Sequence, residues 1–302
     1  TRRSSDLYIS LKIKNGTFLE TRKNQAQKRF EFWVREYILE KAKNELGIEY
    51  VGYEPKDPTS EAEGQLRTYA ESGEYDLIIA TGFMMKDALV TVAGEFPEQK
   101  FAITDERVPE LSNVASLTFK EHEGSFLAGA LAAMMSKSDV IGYVGGAESP
   151  LIQKFEVGYV QGAKYVKPDI KVIVVYVGGT NAFNDPASAK VKAGALIDQG
   201  ADVIYHASGA SGSGVFQAAK DKGIYAIGVD SNQDALVKGT ILTSMIKKVD
   251  TAVFNSVKEV ADGKFEGKVY QYGLKEDGLG ITDCEFTKEI IGQENLDKLD
   301  EI

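Results

Sequence analysis

From residue 40 onward, the apolar positions of this chain switch between two spacings. Some segments carry apolar residues three and four apart, the period of a helix packed on one face. Others are short, nearly continuous apolar runs, the mark of a buried strand. YILEKAKNEL is helical and stops at Gly47, a C-cap candidate. IEYVGYEP reads as a strand, EAEGQLRTYAESG as a helix and DLIIATG as a strand. MKDALVTVAGEFP is a helix stopped by Pro97, and KFAITD and NVASLTF are strands. EGSFLAGALAAMMSK is a helix with small residues along one side. DVIGYVGG, helical LIQKFEVGYVQGAKYV and IKVIVVYVGG follow. Helical ASAKVKAGALIDQG, the strand ADVIYHA and helical VFQAAKDKG come next, before the strands IYAIGVD and ILTSMI. DTAVFNSVKEVADGK is a helix, and VYQYGL with GLGITD reads as a terminal hairpin.

Strands that alternate with helices in this way make βαβ units and parallel sheets. The units are too many for one sheet, so the chain is expected to form two lobes. NVASLTFKEHEG and ILTSMIKKVD, extended stretches that run into helices, are the expected crossovers. They place the lobes at 1–118 plus 243–265 and at 119–242 plus 266–302. The runs IIATG, FAITD, VIGYVGG, VIYHASG and AIGVD end in Gly, Ser or Asp. Open α/β sheets bind ligands beyond the carboxyl ends of their strands, so these ends are the first places to look.

Composition narrows the chemistry. The 302 residues carry a formal net charge of -10, which argues against a nucleic-acid surface, since phosphate binding needs a basic stripe. No apolar run approaches the roughly 20 residues of a membrane span. TRRSSDLYISLKIKNG lacks the apolar core and cleavage site of a signal peptide. Cys284 is the one cysteine, so neither a disulfide framework nor a cysteine-rich metal site fits. With only His122 and His206, a His-based triad or a His-rich metal site is nearly ruled out by count.

The glycine-rich loop HASGASGSG, residues 206–214, lies between a strand and a helix, where phosphates are often held. A Walker loop needs Lys and Ser or Thr after its last glycine, and here Val215 and Phe216 follow Gly214. The glycines at 209, 212 and 214 also reverse the spacing of a dinucleotide loop. A tight turn, or a close approach of backbone to a neutral ligand, remains. Asp230 ends AIGVD and Asp105 ends FAITD, each able to cap a helix or to accept ligand hydroxyls. Phe183, in a Gly/Asn/Asp/Pro loop, suits either a core plug or a stacking platform for a flat ring. Lys247 follows TSMI and suits a surface role, an ion pair or a bond to ligand. No nucleophile–base pair and no cluster of metal ligands emerges, which points to recognition and away from catalysis.

These segments converge on a family. TDERVPELSNVASLTFKEHEGSFLAGALAAMMSKSDVIGYVGG, FEVGYVQGAKYV, GADVIYHASGASGSGVFQAAKDKGIYAIGVDSNQ and ILTSMIKKVD resemble the basic membrane protein family, lipoprotein receptors of ABC transporters for purine nucleosides. The resemblance runs from about residue 40 to the end. It implies an α/β, two-lobed type I periplasmic-binding fold, each lobe a parallel sheet flanked by helices, with a hinge that lets the lobes close on a nucleoside. It implies a binding protein with no cofactor, no metal and no catalytic residue. Carried over one by one, the base-bonding Asp is Asp105 and the stacking ring of the second lobe is Phe183. The glycine at the ribose is Gly209, the ribose carboxylate is Asp230 and the lysine is Lys247.

Residues 1–37 depart from the family pattern, as a reading-frame error in the coding region would make them do. Counting back from ELGIEY, Lys28 and Phe30 fall on the family's Lys and Phe, while Gln27 and Glu31 replace its acidic residue and Asn. Phe30 is thereby the candidate for the other stacking ring. The expected partners are a nucleoside such as adenosine, guanosine or inosine and the permease subunits of a transporter, with no nucleic acid. The expected location is the cell surface or periplasm, through a lipid anchor outside this sequence. Two competing readings are a receptor for a sugar or other small polar ligand and a nucleotide-dependent enzyme. The first would favour a Trp-rich pocket, and Trp33 is the only tryptophan; the second lacks its phosphate motif.

Overall fold

A computed structural model describes residues 8–12, 40–53 and 58–302. The chain divides into two compact units, Thr1–Phe119 with Val249–Tyr272, and Lys120–Lys248 with Gly273–Ile302. The sequence reading placed the crossings near 118, 242 and 265. Strand pairing explains where the observed crossings lie. Residues 241–247 pair with 225–230 and stay in the second unit, whereas 269–272 pair with 116–119 and belong to the first.

In chain order the first unit begins with β1 (Tyr8–Lys12), α1 (Glu40–Leu46), β2 (Glu49–Tyr53), α2 (Pro58–Ser72) and β3 (Leu77–Ala80). It continues with α3 (Lys86–Glu95), β4 (Phe101–Thr104) and β5 (Val114–Phe119). The second unit takes α4 (Glu121–Met135), β6 (Val140–Gly145), α5 (Pro150–Val166), β7 (Lys171–Tyr176), α6 (Pro186–Asp198) and β8 (Val203–Ala207). After these come α7 (Gly212–Lys222), β9 (Tyr225–Asp230) and β10 (Ile241–Lys247). The chain returns to the first unit for α8 (Val249–Ala261) and β11 (Val269–Tyr272). It ends in the second with β12 (Leu279–Ile281), α9 (Lys288–Ile291) and α10 (Gln293–Asp300).

Each unit has a six-stranded sheet, ordered β11-β5-β4-β3-β1-β2 in the first and β12-β10-β9-β8-β6-β7 in the second. This is the α/β architecture of the type I periplasmic-binding fold, with helices packed on largely parallel sheets. The two orders match position by position, so β3 and β4 correspond to β8 and β9. The antiparallel pairings are β1 with β2 and β3, and β12 with β10. Helices cover the sheets, which is why Leu77–Ala80 and Phe101–Thr104 are buried at every position and read as unbroken apolar runs. Leu66, Leu89 and Val92 from the helices pack on Ile78, Phe101 and Ile103 in one core; Leu196 and Val215 pack on Val144 and Ile204 in the other.

The terminal hairpin expected from VYQYGL and GLGITD does not form. β11 pairs with β5 and β12 with β10, so the two strands finish different sheets. Alternation plus a Gly/Asp turn is the local pattern of a hairpin, but it does not say which ladder a strand joins, and here each strand closes the edge of a different sheet.

The small residues of α4 serve its contact with α5. A Cβ on Gly129 would strike the Tyr159 carbonyl, one on Gly158 the backbone of His122, and one on Gly162 the Phe126 carbonyl. The two backbones therefore approach more closely than any larger side chain permits, and α4 lies buried against the sheet of the second unit.

Candidate functional site

The second unit carries four of the predicted residues: Gly209, Asp230 and Lys247 at the carboxyl ends of the neighbouring strands β8, β9 and β10, and Phe183 in the turn ahead of α6. β8 and β9 pair in parallel, as do β9 and β10, with Ile246 opposite Asp230. Asp230 closes β9 with φ 66, in the left-handed region, and Ser231 N–H donates to the Val229 carbonyl at 2.8 Å across it. A three-residue turn of this kind at a non-glycine residue stores strain of about 1–3 kcal/mol. Lys247 ends β10. Its side chain is 6% exposed, and its Nζ lies 3.8 Å from Asp230 Oδ1 and 5.6 Å from the centroid of the Phe155 ring. A carboxylate with two acceptor oxygens thus stands beside an ammonium donor at the rim of the sheet.

The glycine-rich loop is a tight turn followed by a helix. Gly209 has φ 55 and opens one turn of 3-10 helix, Gly209–Ser211, before α7 begins. A Cβ at Gly209 would lie 3.2 Å from the Phe183 carbonyl oxygen and 3.4 Å from its Cβ. The later glycines are explained by packing: a Cβ on Gly212 would enter the His206 ring, and one on Gly214 would meet the Pro186 carbonyl. Two of the loop's three glycines thus serve the seating of α7.

Phe183 is half-buried in the turn ahead of α6, its ring over Gly146, where any Cβ would collide with it. Ser211 pins this turn to the glycine loop. Its N–H donates to the Phe183 carbonyl at 3.2 Å, its hydroxyl donates to the Ala182 carbonyl at 2.9 Å, and it accepts from Asp185 N–H at 2.7 Å. Asp185 in turn caps α6. The hydroxyl and backbone N–H of Ser188 donate to its carboxylate and lower its pKa.

In the first unit, Asp105 directly follows β4, a placement close to that of Asp230 at the end of β9. It too is left-handed, with φ 69, and its N–H donates to the Leu117 carbonyl at 2.9 Å. The neighbouring turn repeats as well. Gly82, φ 100, opens a 3-10 turn after β3 as Gly209 does after β8, and its N–H donates to Thr104 Oγ1 at 2.9 Å. Phe30 lies outside the described residues.

Sequence reasoning missed the polar residues behind Asp230. His206 is fully buried, and its Nε2 lies 3.2 Å from Gln233 Oε1. That oxygen also accepts from Val229 N–H at 2.8 Å. Burial lowers the imidazole to about 4, against a hydrogen bond to Gln233 that raises it. The run DSNQD after the strand end was the available signal. Among the described residues no group of His, Cys, Asp and Glu could hold a metal ion, and no helix is long and apolar enough to cross a membrane.

Residues 34–302 match the Bmp family model, described as ABC transporter substrate-binding protein PnrA-like. The chain is 38% identical over 240 residues to the ABC transporter nucleoside-binding protein BmpA of Lactococcus lactis, covering 73% of this chain and 67% of that one. It is 36% identical over 265 residues to an uncharacterized lipoprotein of Pyrococcus abyssi, covering 83% of this chain and 64% of that one. A solute-binding protein of an ABC transporter system from Aeropyrum pernix superposes with a TM-score of 0.76 at 32% identity, covering 87% of this chain and 75% of that one.

Proposed function

The chain belongs to the Bmp family of PnrA-like ABC transporter substrate-binding proteins, and we propose that it captures nucleosides, purine nucleosides above all, for import. Membership implies a small-molecule ligand, permease partners and work outside the cytoplasmic membrane; a lipid anchor in the native form is part of the proposal. The observation that carries the nucleoside reading is the pairing of Asp230 with Lys247 at the ends of β9 and β10, beside the Gly209 turn that lies against Phe183. The name of the Lactococcus lactis relative agrees with it.

In this reading the Asp230 carboxylate accepts both vicinal hydroxyls of a ribose. Lys247 and the backbone of the Gly209 turn donate to the sugar oxygens. Phe183 stacks on the base, a contact worth about 1–3 kcal/mol. Asp105 accepts from a ring N–H or exocyclic amine of the base. Phe30 is the proposed second ring. Each polar group is satisfied without a phosphate, and an anionic ligand would meet Asp230 at a charge cost. Buried groups built to bond hydroxyls also reject a ligand that lacks them.

The test is titration calorimetry of ligand-stripped protein with adenosine, guanosine, inosine, uridine, ribose and AMP, and with Asp230→Ala as control. Tight binding of nucleosides but not AMP, lost in Asp230→Ala, is the expected result. Binding of free ribose in preference to every nucleoside would replace the reading with a sugar receptor.

A further inference from the structure

Behind the proposed ribose contacts lies a second polar layer. Gln233 Oε1 accepts from Val229 N–H, so the His206 contact requires Nε2 to carry the proton. His206 Nδ1 is then the acceptor for the Ser208 hydroxyl at 3.3 Å, one residue before Gly209. Gln233 N–H donates to Ser244 Oγ at 3.0 Å on β10. The Ser244 hydroxyl donates to Asp234 Oδ1 at 2.6 Å, and the Thr282 hydroxyl to Asp234 Oδ2 at 2.6 Å. Ser244 N–H donates to Thr282 Oγ1 at 3.1 Å. Asp234 is 1% exposed. Gly228 makes room for the layer, since a Cβ there would lie 2.5 Å from Ser244 Oγ and 2.7 Å from Gln233 Oε1.

We propose that Gln233 is a positioning residue of the binding site, anchored by Asp234, which holds the ends of β8, β9 and β10 in one arrangement. One carboxamide oxygen ties the strained turn at Asp230, through Val229, to the strand end that leads into Gly209, through His206. Asp234 binds the same loop to Ser244 of β10, three residues before Lys247, and to Thr282, the residue after β12. An apolar core of equal volume would serve stability as well as a buried polar layer does. What the layer adds is geometry, because each bond has one donor, one acceptor and a narrow range of angles. The inference rests on the reading that Gly209, Asp230 and Lys247 meet the ligand.

Calorimetry of Gln233→Leu and Gln233→Glu with inosine and with 2′,3′-dideoxyinosine separates positioning from mere stability. The preference of the wild type for inosine is expected to fall about tenfold in Gln233→Leu, the loss of one well-placed hydrogen bond at the sugar. Gln233→Glu keeps an acceptor for Val229 N–H and His206 and is expected to retain the preference. Asp234→Asn, a second variant, turns one hydroxyl bond around and is expected to lower the preference as well. An unchanged preference in Gln233→Leu and Asp234→Asn would overturn the proposal.

If the wild type binds no nucleoside, the functional reading fails by itself, and amide resonances then judge the positioning. Shifts at Gly209, Asp230 and Lys247 in Gln233→Leu, with Asp105 unmoved, would support it. Shifts confined to the immediate neighbours of Gln233 would overturn it.

Discussion

Lys247 Nζ lies 3.8 Å from Asp230 Oδ1 while the lysine side chain is only 6% exposed. The pair joins the ends of two parallel strands, and neither charge is fully solvated. Removing one partner takes this ion pair from the other while its charge stays in place, whereas removing both does not. Asp230→Asn, which tolerates the left-handed turn, is therefore expected to destabilise the protein by about 1–3 kcal/mol. Lys247→Met in the same chain should return part of that loss. Urea denaturation of the two single variants and the double variant checks the coupling. Strictly additive losses would show that the charges do not interact.

Gly209 is the one glycine of its loop that needs a left-handed backbone next to a candidate ligand contact. Gly209→Val places a β-branched residue at φ 55 and a methine 3.2 Å from the Phe183 carbonyl. The conformation alone costs about 1–2 kcal/mol, and the collision pushes the aromatic turn away. Thermal denaturation should show the first effect and weakened nucleoside binding the second. Full affinity in a folded Gly209→Val protein would remove Phe183 from the site.

His206 gives stability a pH dependence of known sign. Its folded-state value, about 4, lies below the ordinary 6.5, so between these values the unfolded chain holds a proton that the folded chain refuses. The contribution of this group is fully present above pH 6.5 and is lost as pH falls towards 4. By then about 3 kcal/mol has gone. The urea midpoint of the wild type should drop across that window, and His206→Gln should flatten the slope.

Helix packing predicts opposite results for two glycine substitutions. Gly162→Ala drives a methyl group into the Phe126 carbonyl of α4, and backbone cannot step aside as a side chain can. A loss of about 1–3 kcal/mol or more is expected. Gly194→Ala, in α6 with nothing within 4 Å of the new Cβ, should gain up to about 1 kcal/mol from helix propensity. Calorimetric melting of both variants tests this contrast.

Much of the fold was legible in local pattern because helices and buried strands leave periodic marks. The run DLIIATG announced β3 as a strand, and FAITD and AIGVD announced two carboxylates at strand ends. The terminal strands were misread because alternation carries no information about which ladder a strand joins. The same blindness hid Gln233, Asp234 and Ser211. Polar residues in a loop look solvated until the loop is folded over its neighbours, and their partners are distant in sequence. Ser211 meets Ala182 and Asp185, and Asp234 meets Thr282.

The order of residues alone thus determined the alternation of strands and helices, the family and the candidate contacts, because each is written in contiguous stretches. Tertiary structure alone decided that Asp230 and Lys247 form a pair, that Gly209 yields to Phe183, and that one glutamine oxygen ties two strand ends together. Those relations depend on which strands lie side by side. Hydrogen bonds and ion pairs act over a few ångströms of space, whatever the distance along the chain.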